Sequence, residues 1–333
     1  MKKVVLFFAL AVGLLTSAST AMAQTVNMNR YITLTVKSSK AIKLDFQAAQ
    51  ANTTVRIVSG SNTQDITVGT NWVGRASYTA EDNTMTIYGD VVSLNCYYNE
   101  ENLTALDVSH NTQLMELYCS NNLLYILDLS YNTQLTRLGC SKNILKILDV
   151  SKNTQLKFLD CSFNILSNLD IPHNAQLTWL DCYNNNFTTA ALDDIYCALP
   201  DRTGKTNGVI LPIYDSLSSN YATVLATNKQ NAIAKNWKVQ YKNYTDIPAT
   251  TGKHKCSATD IAEAAAEPAL TLYPNPVADV LYLSATARTI RIYNVYGIEV
   301  AHATDTDRVE VSHLPAGVYT VKADGTVAKM VKR

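Results

Sequence analysis

The chain has 333 residues with 28 Lys and Arg against 28 Asp and Glu; without an N-terminal leader containing Lys2 and Lys3 it holds 26 basic and 28 acidic residues, about −2. Hydrophobic content of 47% with 17% charged residues excludes an intrinsically disordered chain, and the length calls for two or three domains. A near-neutral chain with no basic stripe and no nucleic-acid motif excludes nucleic acid as a partner.

The first residues, MKKVVLFFALAVGLLTSASTAMAQ, combine a basic start, an apolar core from Val4 to Leu15, and Ala21-Met22-Ala23 before Gln24. That is the pattern of a secretory signal peptide, predicted at 1–23. The apolar run is shorter than the roughly 20 residues of a membrane-spanning helix, and no later segment is apolar enough to span. No Cys follows the cleavage point, which argues against a lipid-anchored start. Residues 24–90 then alternate polar and apolar in runs such as YITLTVKSSKAIKLDF and NTMTIYGDVV. The spacing predicts a small antiparallel β cap domain covering the first edge of the segment that begins at Val91.

From Val91 the chain repeats. Leu114, Leu135, Leu156 and Leu177 fall 21 residues apart, as do Cys119, Cys140, Cys161 and Cys182. A stretched copy precedes them (VVSLNCYYN, then LTALDVSHNTQ), and a half-copy, LTWLDCYNN, ends at Asn185. A fixed period in the twenties marks a solenoid whose turns bury their apolar edges only against neighbouring turns, here over 91–199. Stacked coils hold the Cys side chains parallel, about 4.8 Å apart. A disulfide needs the two Cβ atoms turned toward each other, and a metal needs ligands converging from several sides, so buried free thiols are expected. The columns Asn122/Asn143/Asn164/Asn185 and Asn111/Asn132/Asn153/Asn174 are expected to bond turn backbone. The column Asp107/Asp128/Asp149/Asp170 stacks like charges. It is read as a set of local turn bonds, with a bound calcium ion as the alternative.

Positions that vary between repeats are free of scaffold duty. One column runs Ser93, Glu116, Arg137, Phe158, Trp179; beside it runs Asn95, Tyr118, Gly139, Asp160, Asp181, with Tyr98 and Phe163 at the adjoining turn. Glu116, Tyr118, Arg137, Phe158, Asp160, Phe163, Trp179 and Asp181 are the candidate partner-binding residues. Phe158, Phe163 and Trp179 are expected to cluster as an aromatic hot spot, unless a flanking domain covers them. The turn column His110, Tyr131, Lys152, His173 reads as solvated.

Beyond the repeats, TTAALDDIYCALP places Leu192, Ile195, Tyr196 and Leu199 on one helical face, with Cys197 buried beside them. A second helix is predicted near 219–237, making 200–243 a helical C-terminal cap. Residues 244–269 read as a linker of small and polar residues. Cys256 lies in it, and with an odd total of seven Cys an exposed thiol is expected there. Residues 270–333 read as a small β-sandwich of about seven strands, punctuated by Pro-Asn-Pro, Tyr-Gly and Pro-Ala-Gly turns.

Two of these segments carry a family resemblance. Residues 91–199 resemble the leucine-rich-repeat family, in the subclass that nests two Leu-x-x-Leu-x-Leu-x-x-Asn halves in one coil, with Cys replacing Leu in the first half. The resemblance implies a recognition scaffold, like the internalin-like surface proteins. Residues 270–333 closely resemble the C-terminal sorting domain of the type IX secretion system. The match lies in Tyr273-Pro274-Asn275-Pro276, Tyr293-Asn294, Gly297, Leu314, Ala316-Gly317-Val318-Tyr319 and Lys329-Met330-Val331-Lys332. It implies that Tyr273, Pro274, Asn275, Pro276, Gly297, Gly317 and Tyr319 carry the sorting motif. It also implies outer-membrane export machinery as a partner, and a route through the periplasm to the cell surface or extracellular space.

The expected fold is mainly β: a leucine-rich-repeat solenoid with a small N-terminal β cap, a helical C-terminal cap and a C-terminal Ig-like β-sandwich. The expected function is binding of protein or glycan on host or bacterial surfaces, in adhesion. The alternative is a structural role in the surface coat or biofilm matrix through self-association. With no His-Glu-x-x-His helix, Gly-x-Ser-x-Gly elbow or phosphate loop, neither catalysis nor a cofactor or metal is expected.

Overall fold

The computed structural model describes residues 25–256, 271–294, 299–323 and 326–333. The expected signal peptide, the second part of the expected linker and Gly297 lie outside the described residues. Six strands open the chain: β1 (Tyr31–Val36), β2 (Ala41–Ala48), β3 (Thr53–Ser59), β4 (Asn62–Val68), β5 (Ala76–Thr79) and β6 (Thr84–Tyr88). Their alternation is that of half-buried strands, with Ile32, Leu34 and Val36 of β1 turned inward.

The stretched first repeat supplies β7 (Val91–Asn95) and β8 (Leu103–Asp107). The 21-residue repeats supply β9 (Glu116–Tyr118), β10 (Arg137–Gly139), β11 (Phe158–Asp160) and β12 (Trp179–Asp181). These three-residue strands are parallel and pair position for position: Glu116, Arg137, Phe158 and Trp179 are mutual neighbours, as are Tyr118, Gly139, Asp160 and Asp181. The sequence period is therefore the sheet register. β2 pairs antiparallel with β7, and β1 with β8, so the first strands extend both sides of the coil stack. A single apolar core runs from Ile32 to Ile247, and residues 25–90 share it rather than owning one.

Inside each coil the Leu and Cys columns are fully buried; Leu117, Cys119, Leu138, Cys140, Leu159 and Cys161 are all 0% exposed. The five thiols of Cys96, Cys119, Cys140, Cys161 and Cys182 are free and buried. Burial pushes the Cys96 thiol up to about 12 and raises the other four as well, so none is a thiolate at neutral pH.

Each Asn of the first half-coils ties three or four backbone groups. Asn143 Nδ2 donates to the carbonyls of Cys119 and Cys140, both at 3.0 Å, and its Oδ1 accepts from the Leu124 N–H at 3.0 Å. Asn132, ending a second half-coil, donates to Val108 O and Asn111 O, while its Oδ1 has no protein partner. In the Asp column, Asp107, Asp128 and Asp149 accept the N–H groups of Ser109, Ser130 and Ser151 at 2.9–3.0 Å. Pro172 stands at the matching position after Asp170 and has no N–H to give.

After the coils come α1 (Thr189–Ala198), β13 (Gly208–Ile213), α2 (Tyr221–Leu225), α3 (Gln230–Ile233) and β14 (Trp237–Tyr241). Thr188 caps α1, its hydroxyl accepting the Ala191 N–H at 3.2 Å. The cap is thus mixed rather than helical, and the helix expected at 219–237 is two short helices followed by a strand. The cause is the apolar run Val209–Ile213, which joins β12 as a further parallel strand, with β14 beyond it. Gly208 makes room for this: a Cβ there would sit 2.4 Å from the Trp237 ring.

The segment expected as a linker is in part structure. Cys256 is bonded to Cys197, not exposed as a thiol. Before it, the N–H groups of Thr251 and Gly252 donate to Leu225 O and Thr227 O, and both Asn228 and Asn231 side chains hold His254 O. Residues 244–256 are laid across the cap helices.

The C-terminal segment has its own core around Leu281, Ile290, Ile292, Val321 and Met330. Its strands are β15 (Leu272–Tyr273), β16 (Val280–Tyr293), β17 (Glu299–Glu310), β18 (Gly317–Ala323) and β19 (Thr326–Lys332). Five strands among the described residues replace the seven expected. β16 and β17 are long, and a register shift between Tyr282 and Ala287 bends one strand where the sequence reads as two.

Candidate functional site

The outward face of β9 to β12 carries the variable residues, because inward positions are filled by the repeating Leu and Cys. Pairing sets Arg137 between Glu116 and Phe158, and Phe158 between Arg137 and Trp179. Tyr118 OH lies 3.1 Å from Glu116 Oε2 and accepts from Arg137 Nε at 3.0 Å. The Arg137 guanidinium lies over the Phe158 ring, 4.9 Å from its centre. On the opposite side Phe158 stacks on Trp179, centres 6.3 Å apart with 20° between planes. Tyr244 meets Trp179 edge-on at 5.8 Å, and at the other end Trp72 meets Tyr118 at 6.0 Å. Gly139 lets the Tyr118 ring lean across the gap between the coils; a Cβ there would lie 3.1 Å from that ring.

Two of the eight candidates do not present themselves as readers. Asp181 is only 3% exposed. Its carboxylate accepts from Trp179 Nε1 at 2.7 Å and lies 3.6 Å from Lys242 Nζ. Desolvation first, and the neighbouring Asp160 second, push it up to about 6. Asp181 therefore holds the Trp179 ring rather than facing a partner. Asp160 is turned toward Ser162, accepting its N–H at 3.1 Å and its hydroxyl at 2.6 Å.

Phe163 is separated from Phe158 and Trp179. It packs at the coil corner with Tyr183 (5.4 Å) and Tyr214 (6.1 Å), with Lys142 Nζ 5.4 Å from its ring centre. Its backbone is left-handed, φ 52°, as are Asn121, Lys142 and Asn184 at the same corner of other coils. Asn tolerates that conformation; a bulky Phe is strained in it. Glu116, Tyr118, Phe158, Phe163 and Trp179 are half-buried, and Arg137 is exposed. Trp72, Lys242 and Tyr244 complete the face from flanking segments, and no repeat position marks them in the sequence.

In the C-terminal segment, Tyr273 is 49% exposed and stacks on Tyr282. Asn275, between Pro274 and Pro276, bonds the last strand. Gly317 opens β18, and Tyr319 is buried, its hydroxyl donating to Pro315 O at 2.7 Å.

Residues 271–333 match the family described as "Secretion system C-terminal sorting domain". That segment is a type IX address, engaging the secretion machinery and sending the chain through the periplasm to the cell surface or extracellular space. A solved structure described as "Functional domain of InlJ from Listeria monocytogenes includes a cysteine ladder" is 20% identical, covering 73% of this chain and 67% of that chain, with a TM-score of 0.31. That overlay is too loose to transfer a role. No curated protein matches the chain. Among the described residues no helix is long and apolar enough to cross a membrane, and no three His, Cys, Asp or Glu side chains converge to hold a metal ion.

Proposed function

We propose that the exported chain is a leucine-rich-repeat recognition protein, capped at both ends, that binds a protein partner through the outer face of β9 to β12 and serves in adhesion to host cells or other bacteria. The observation that carries the reading is the line Tyr118–Arg137–Phe158–Trp179–Tyr244. Aromatic and Arg side chains, the types enriched at binding hot spots, lie half-buried or exposed on a scaffold whose repeating Leu and Cys columns are buried. Ring orientation favours protein over glycan. Arg137 lies over the Phe158 ring and Trp179 runs nearly parallel beside it, so Phe158 is not the free-standing flat platform that a sugar ring stacks on. Catalysis has no support here: the two carboxylates are engaged and the thiols are buried and protonated.

The test is capture from host-cell and bacterial-surface extracts by the mature chain beside Phe158→Ala/Trp179→Ala. A partner lost with the double variant, destroyed by protease and indifferent to periodate, fits the proposal. Loss to periodate alone would move the reading to glycan. A second reading, self-association in the coat or matrix, draws on β4. Among the described residues β4 pairs only with β3, leaving an edge for another chain. Concentration-dependent association in sedimentation, abolished by Thr67→Pro on β4, would favour it.

A further inference from the structure

The sorting segment is fastened end to end by one side chain. Pro274 and Pro276 carry no N–H, so the backbone on either side of Asn275 cannot donate to a neighbouring strand. The side-chain amide supplies both groups instead. Asn275 Nδ2 donates to Lys329 O at 2.8 Å, and Asn275 Oδ1 accepts from the Val331 N–H at 2.8 Å. Lys329 and Val331 are alternate residues of β19, so the amide takes the place that a peptide group of an adjacent strand would take.

The chain then continues the ladder. The Val277 N–H donates to Val331 O at 2.8 Å, and the Arg333 N–H donates to Val277 O at 2.9 Å. At the start of the motif, Tyr273 pairs with Tyr282 of β16. Residues 273–277 thus cross from the edge of β16 to the free edge of β19, joining the beginning of the address to its last residue.

Resting on the sorting reading of residues 271–333, we propose that Asn275 is a positioning residue of the address, and that the export machinery reads the clasped terminal strand, not the Tyr-Pro-Asn-Pro tetrapeptide as a linear motif. Val277 is 0% exposed and Lys332 9%, whereas Lys329 and Arg333 are exposed. The clasp therefore fixes which basic side chains of the terminus face outward.

The experiment uses the full chain in a bacterium that exports it, with periplasmic and surface fractions measured for each variant. Purified chains are also treated with carboxypeptidase B to time removal of Arg333. Asn275→Ala removes two hydrogen bonds and is expected to lower the exported fraction and speed trimming, each by about tenfold. Asn275→Asp keeps the acceptor for Val331 and loses the donor to Lys329 O, and is expected to fall between. Val321→Ala thins the same core from β18, on the opposite side of β19, and leaves the hydrogen bonds of the clasp in place. At a matched loss of melting temperature it should export like the parent chain and keep its terminus protected.

Export of Asn275→Ala at the parent level overturns the proposal. So does poor export without faster trimming, which would make Asn275 itself the contact, and so does Val321→Ala exporting as poorly as Asn275→Ala. If Asn275→Ala fails to fold, Asn275→Asp decides alone: export and trimming must change together. A chain lacking 271–333 that still reaches the surface would sink the sorting reading rather than the clasp.

Discussion

Asn143 closes a first half-coil and Asn132 a second half-coil, with the same side chain and different results. Asn143 satisfies both ends of its amide: Nδ2 donates to Cys119 O, Cys140 O and Ser141 O, and Oδ1 accepts the Leu124 N–H of the preceding coil. Asn132 is 0% exposed and leaves its Oδ1 with no protein partner. The same orphan oxygen recurs at Asn111, Asn153 and Asn174. The second half-coils of the 21-residue repeats form no strand, and their turns are tied locally by the Asp-to-Ser N–H bond. The half that forms the sheet is therefore the better fixed, and it is also the half that displays the variable residues. Readers on a backbone locked by pairing lose less freedom on binding than readers on a loose turn.

The largest expected effect tests the shared core. Leu138→Ala should cost about 2–5 kcal/mol in urea unfolding, since Leu138 is fully enclosed between neighbouring coils. Leu148→Ala, on the second half and 5% exposed, should fall at the lower end of that range. A larger loss at Leu148 would mean the strandless half carries the stack.

The Asn pair tests the comparison directly. Asn143→Ala breaks four buried bonds and strands their backbone partners, for about 3 kcal/mol. Asn132→Ala breaks two but also removes a buried, unpaired oxygen, so the net loss should be nearer to about 1 kcal/mol. Equal losses would show that Asn132 Oδ1 is satisfied in solution, a bound water being the simplest means.

Much of this was legible in the sequence, and the residues show why. The 21-residue spacing of Leu114, Leu135, Leu156 and Leu177 is the register itself, so which residues share a face followed by subtraction. Contacts made outside that period were not legible. The Cys197–Cys256 bond joins residues 59 apart with no periodic relation, and the odd count of Cys masks it because five others stay free in the coils. Lys242 and Tyr244 reach the face from beyond β14, where no repeat places them. Asp181 reads like Asp160 in the sequence, and only the indole of Trp179 and the ammonium of Lys242 turn it into a support. Val209–Ile213 reads as part of a helical cap because a short apolar run carries no period of its own.

The support role of Asp181 gives a pH dependence with a definite sign. Its carboxyl is raised to about 6 in the fold, against roughly 3.9 in an unfolded chain. Between those values the folded chain binds more protons than the unfolded one. This group's contribution therefore falls as pH rises from about 4 to about 6, and is constant above. Asp181→Asn should remove that slope and gain on the order of 1–2 kcal/mol at pH 7, since an amide oxygen can still accept from Trp179 Nε1. Chemical unfolding of both chains at pH 4 and pH 7 measures it. A variant that loses stability at pH 7 would show that the Lys242 pair outweighs the burial of the charge.

The smallest effect separates turn bonds from charge in the Asp column. Asp149→Ala removes the acceptor of the Ser151 N–H and should cost about 1 kcal/mol, as the loss of a cap does. Asp170→Ala removes a carboxylate that Pro172 cannot pair, and should cost close to nothing. If the two losses are equal, the column contributes through something other than the Ser N–H bonds. Repeating both measurements with calcium and with a chelator then decides the point. A chelator-sensitive loss at Asp170 would assign the column to a bound cation, whereas a loss at Asp149 alone, indifferent to calcium, leaves each Asp as the clip of its own turn.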